Sequence, residues 1–117
     1  MNKRKYMCRY IAFLRRHFGV PNIRTHILWH SPALTTDDVE YEYGLFLYPR
    51  EGEDGKTEIY VAGKKIRKSG IMSVLAHEYA HYRQMLDGQN MKAPHIECEA
   101  DLMGQRAMGE WFLQKEK

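Results

Sequence analysis

Between Val74 and Leu86 the chain reads VLAHEYAHYRQML, with two histidines four apart and a glutamate directly after the first. In an α-helix, residues four apart share one face about one turn from each other, so the imidazoles of His77 and His81 can converge on a single point. Ile71, Val74, Leu75 and Ala76 precede the pair. The first histidine therefore enters from an apolar turn, and the fold must bury this helix while leaving a pair of nitrogen donors at its surface.

That pair suits a tetrahedral Zn²⁺, whose bonds to histidine nitrogen are about 2.0–2.1 Å. Glu78 lies about 100° round the helix from His77. Its carboxylate would flank an ion rather than ligate it, in the position of a general base for a water whose pKa the ion lowers. Shuffling a chain of this composition produces HExxH by chance in roughly 2–3% of cases, so a third ligand has to separate a site from a coincidence. The segment HIECEADLMG supplies one: Glu97 and Asp101 are four apart and share a helical face. Glu97 is the expected third ligand, and Asp101, one turn on, is expected to accept a hydrogen bond from the far nitrogen of a liganding histidine. Glu99 points about 200° away from Glu97 and is the weaker choice. His95 falls at the start of the helix beside Pro94, and Asp87 would need a glycine where Gln84 stands to act as in HExxHxxGxxH/D proteins. Cys98, about 100° from Glu97, reads as a small buried residue.

Around this centre the pattern predicts a single α+β domain over residues 1–117, of ordinary size for one core. Met7, Tyr10, Ile11, Leu14 and Phe18 recur at helical spacing between about Lys3 and Phe18, and Gly19 and Pro21 end that helix. THILW is a short strand. Val39, Tyr41 and Tyr43 alternate with Glu40 and Glu42 and run through Gly44 into Leu45–Tyr48, which reads as one long strand bent at the glycine. PREGEDGKT is a turn or loop, and TEIYVAG is a third strand pairing with the second as a hairpin. Ser69 is the expected N-cap of the HEYAH helix and Asp87-Gly88 its stop. Pro94 is the expected first residue of a last helix whose stripe is Ile96, Ala100, Met103, Ala107 and Trp111.

In its motifs the chain resembles the gluzincin metallopeptidases, in which HExxH on one helix is completed by a glutamate in an ExxxD-like segment on a later one. More narrowly, GLFLYP, TEIYVAG, VLAHEYAH and ECEAD occur in the order found in the ImmA/IrrE-like zincin domain. The 16-residue step from His81 to Glu97 is shorter than such proteins usually show. The resemblance implies a zinc-dependent endopeptidase with His77, His81 and Glu97 on the metal and Glu78 as general base. It also implies a protein or peptide substrate, by analogy a regulatory partner such as a transcriptional repressor. A substrate strand is expected to add to an exposed sheet edge, with TEIYVAG as the candidate. Tyr48, His30, His95 and Tyr82 all have the chemistry to stabilise an oxyanion. Two alternatives stand beside this reading. A SprT-like, DNA-associated protease would need a third histidine, and a non-catalytic binding module would keep the zincin fold without cleavage.

Composition narrows the setting. The net charge of +3 is mildly basic, with Lys3, Arg4, Lys5, Arg9, Arg15 and Arg16 crowded into the first helix. No nucleic-acid-binding motif accompanies them, so they read as a solvated helical face. Cys8 and Cys98 are too few for a disulfide framework. Arginines interrupt the only segment resembling a signal peptide, and no run approaches a membrane span of roughly 20 apolar residues. A cytoplasmic protein is expected.

Overall fold

A computed structural model describes residues 2–36, 39–41, 43–49 and 56–115. Helix α1 spans Lys3–Phe18. Its N-cap Asn2 accepts a hydrogen bond from the Lys5 N–H at 2.9 Å, and Gly19 ends it in the left-handed region at φ 63°. That conformation suits glycine and lets the Gly19 N–H reach the carbonyls of Arg15 and Arg16. Five strands follow: β1 (Arg24–Leu28), β2 (Leu34–Thr36), β3 (Val39–Tyr41), β4 (Gly44–Leu47) and β5 (Glu58–Ala62). Two helices, α2 (Lys68–Leu86) and α3 (Ile96–Lys115), complete the α+β domain. Among the described residues no helix is long and apolar enough to cross a membrane.

The main sheet has the order β1-β5-β4, with β1 parallel and β4 antiparallel to β5. Alternation divides its faces. Ile59 and Val61 of β5 and Phe46 of β4 turn toward the helices and are buried, whereas Glu58 and Tyr60 pair with Leu47 and Leu45 on the outer face. Helix α2 packs against α1, α3, β4 and β5. Accordingly Ile71, Met72, Leu75, Ala76, Tyr79 and Ala80 are buried round much of its circumference. Burying a side chain such as Leu75 stabilises the fold by about 1.5–3 kcal/mol. At the far end, Trp111 of α3 meets the rings of Tyr6, Tyr10 and Phe13 at centroid distances of 5.8, 5.5 and 5.4 Å. Its indole N–H donates to the Tyr6 hydroxyl at 2.9 Å.

Several expectations are corrected. The single strand through Gly44 is two strands: β3 pairs with β2 in a separate two-stranded sheet, and β4 joins the main one. The expected hairpin of β4 and β5 forms, but β5 lies in the centre of its sheet, so TEIYVAG is not an edge; β4 is. Helix α2 starts at Lys68, with Arg67 rather than Ser69 at the N-cap and no side-chain cap bond. Pro94 lies in the turn before α3, which begins at Ile96. Most of the loop expected in PREGEDGKT, residues 50–55, lies outside the described residues.

Candidate metal centre

The HEYAH motif sits in the middle of α2, and the first half of α3 packs against it. The crossing is close because α3 presents small residues. Ala100 is fully buried, and a Cβ placed on Gly104 would stand 3.0 Å from the His77 backbone nitrogen and 3.1 Å from the Ala76 carbonyl carbon. With no side chain to hold the helices apart, Glu97 reaches across to both histidines. His77 Nε2 is 3.0 Å from Glu97 Oε2, and His81 Nε2 is 3.1 Å from Glu97 Oε1. One ligand atom from each of the three residues can be chosen with all of them within 4.8 Å of one another. The histidine rings stand at 89° with centroids 4.5 Å apart, so their Nε2 atoms approach the carboxylate from different directions.

The far nitrogens are also engaged. Asp101 Oδ1 lies 2.8 Å from His77 Nδ1. That nitrogen is buried and nevertheless has no aligned hydrogen-bond partner, so the carboxylate stands close to it but off the N–H direction. His81 Nδ1 lies 2.8 Å from Gln84 Oε1. Burial lowers the His81 pKa, keeping the imidazole neutral near pH 7, the form that donates a lone pair to a cation.

Glu78 is only 6% exposed and lies beneath the edge strand. A Cβ on Gly44 would fall 2.7 Å from Glu78 Oε2 and 2.5 Å from Val74 Cγ1, so β4 comes this close only because residue 44 has no side chain. Burial, and secondarily the Glu97 carboxylate, push the Glu78 pKa up to about 8. A buried acid with a pKa near neutrality beside a ligand cluster suits proton transfer.

Glu78 opens onto a cleft of about 330 Å³ that is lined on the strand side by Gly44, Leu45, Phe46 and Tyr48 and elsewhere by Met91, His77, His81 and Glu97. Of the four expected oxyanion candidates Tyr48 lines this cleft, whereas Tyr82 is buried with its ring 5.7 Å from Phe46. His30 and His95 are not among the lining residues. The alternative ligands have other places. Asp87 pairs with Arg83 at 2.7 Å, Cys98 is exposed rather than buried as expected, and Glu99 accepts from Gln84 and Gln89 at 3.1 and 3.0 Å. Those two amides lower the Glu99 pKa.

Sequence reasoning brought His77, Glu78, His81, Glu97 and Asp101 forward, and the structure gathers all five. Gly44 reads in the sequence only as a bend and Gly104 carries no signal there; the importance of both lies in what faces them across the fold. Gln84 stands out in the sequence only as a residue where another motif needs glycine. No protein-family model, curated protein or solved structure matches the chain.

Proposed function

We propose that this protein is a zinc-dependent metallopeptidase of the gluzincin kind. The observation that supports this most is the meeting of two neutral-capable imidazole nitrogens with both oxygens of one carboxylate beside a buried glutamate. A histidine lone pair and a carboxylate oxygen repel one another unless a proton or cation stands between them, so this donor set fits a divalent ion of the zinc type. His77, His81 and Glu97 would hold it. Three protein donors beside an open cleft leave room for substrate, whereas structural zinc sites are closed by a fourth protein ligand. Bound there, the ion would supply Lewis acidity, acidifying a water, polarising a carbonyl and drawing Glu78 back toward its ionised form.

The chain's own groups then carry the proton. Glu78 accepts one from the attacking water as the C–O bond forms, and returns it to the amide nitrogen as the C–N bond breaks, so the amine leaves neutral. A peptide in extended form would add to β4, the edge strand that lines the cleft, where backbone hydrogen bonds hold it across His77 and Glu78. The apolar lining from Leu45, Phe46 and Met91 suits an apolar side chain next to the scissile bond. A SprT-like site would need a third histidine, and among the described residues the ligand cluster is His77, His81 and Glu97.

The test is zinc stoichiometry of the purified protein together with cleavage of a mixed peptide library. One zinc per chain and peptide hydrolysis are expected. Glu78→Gln should keep the zinc and lose about 10²–10⁴-fold in rate. Cleavage by that variant at the parent rate would overturn the mechanism, and one tightly held zinc without any cleavage by the parent would identify a binding module instead.

A further inference from the structure

Behind the histidine pair lies a polar side chain that the proposed chemistry does not use. Gln84 is fully buried, one turn after His81 on α2. Its Nε2 donates to the Ile96 carbonyl at 3.1 Å and to Glu99 Oε1 at 3.1 Å, and its Oε1 faces His81 Nδ1 at 2.8 Å. Gln89 donates to the same Glu99 oxygen at 3.0 Å.

This set of partners orients the amide. A glutamine amide carries two N–H donors, and here both meet oxygens that serve only as acceptors, a main-chain carbonyl and a carboxylate. Turning the amide over would set its oxygen against both and its NH₂ against His81, losing both hydrogen bonds and leaving the buried Ile96 carbonyl without this donor. The atom facing His81 is therefore an acceptor. Nδ1 must carry the proton, and in the neutral ring the lone pair lies on Nε2, which faces Glu97 Oε1 at 3.1 Å. The same amide grips α3 at Ile96 and Glu99, on either side of Glu97.

We infer that Gln84 is a positioning residue for the candidate metal centre: it holds His81 in the Nδ1–H tautomer and, through Ile96 and Glu99, couples that imidazole to the turn of α3 that presents Glu97. The inference rests on the metal-site reading above. It also assigns the two histidines different supports, an exposed carboxylate for His77 and a buried neutral amide for His81. A neutral amide sets the tautomer without placing another negative charge beside Glu99.

The experiment records ¹⁵N shifts of the His81 ring in chelator-treated protein at pH 8, and the dissociation constant for Zn²⁺ alone by competition titration. In the parent, Nδ1 should carry the proton; a parent with the proton on Nε2 overturns the inference without any variant. Gln84→Met keeps the volume and removes the acceptor. It should shift His81 toward a mixture of tautomers and weaken zinc binding about 10–100-fold. Gln84→Glu restores an acceptor facing Nδ1 but places a second carboxyl beside Glu99, so it should recover the Nδ1–H signature while lowering the melting temperature. A merely structural glutamine would leave the tautomer unmoved in both variants. If the parent binds zinc and Gln84→Met keeps both the Nδ1–H form and the parent affinity, the positioning role is overturned and the metal reading survives. If the parent itself binds no zinc, the metal reading fails and takes this inference with it.

Discussion

The two ends of the helical layer are built on opposite principles. Where α1 meets the C-terminal half of α3, Trp111 packs edge to face on Tyr6 and Tyr10 and tilted on Phe13, with its indole N–H donating to the Tyr6 hydroxyl in the interior. Where the first half of α3 crosses α2, the contact is made by Ala100 and Gly104, and the buried space goes to Glu78, His81 and Gln84. Large rings at one end bring apolar area and stability. Small residues at the other bring backbones close together, which lets short carboxylate and imidazole groups meet. One end can bear the cost of buried polar groups at the other because both belong to one packed unit, joined along α3.

That division can be broken by substitution. The largest effect is expected at the aromatic end: Trp111→Ala should lower stability by about 3–5 kcal/mol, read from denaturant unfolding. The folded fraction should nevertheless bind zinc within a few-fold of the parent. A large loss of affinity at full folding would show that the two ends are not separable. The next effect belongs to the polar end. Gly44→Ala forces a methyl group into the space held by Val74 and the Glu78 carboxylate, which should cost about 1–3 kcal/mol by overpacking. Its more telling result is a fall in peptide cleavage with zinc affinity unchanged, since Glu78 moves and the ligands do not. Equal loss of both would place Gly44 under the whole site rather than under its base.

The smallest effect sharpens the comparison by lying outside both ends. On the outer face of the sheet His26 and the Tyr60 hydroxyl contact Glu58 Oε2 at 2.7 and 3.0 Å. The hydrogen bond with His26, followed by that from Tyr60, lowers the Glu58 pKa below its usual 4.5. A carboxylate with a depressed folded pKa contributes stability that is fully present above its unfolded value and is lost as the pH falls through the folded one. Melting temperatures measured from pH 7 down to pH 3 should therefore fall less steeply in Glu58→Gln than in the parent, with zinc affinity at pH 7 untouched. Identical pH profiles would remove the stabilising role of this pair.

The helices were legible because their signals are local. Apolar spacing located α1, α2 and α3 with ends within about two residues. Gly19 and Gly88, both at positive φ, follow α1 and α2 where the stop signals stood. The sheet was less legible. The β1-β5-β4 order pairs residues some 34 positions apart in the chain, such as Arg24 with Glu58, and alternation reports which face a residue takes but not which strand lies beside it. The same limit explains why β3 and β4 read as one strand. They are close in sequence and both suit extended backbone, and it is their different partners that separate them.

The site divides along the same line. Its α2 members follow from sequence alone: four residues make about one helical turn, so His77 and His81 share a face and Glu78 stands beside them wherever that helix is placed. Glu97 and Asp101 could likewise be assigned to one face of a second helix. How near the second helix comes to the first was decided by tertiary structure, through Gly104 against the His77 backbone and Gly44 over Glu78. So was the character of Gln84, an ordinary polar helix residue until burial leaves its amide one satisfying orientation. The difference is physical. Helical period is a property of the backbone and acts at every position, whereas close approach and buried hydrogen bonding depend on which atoms arrive from elsewhere in the chain.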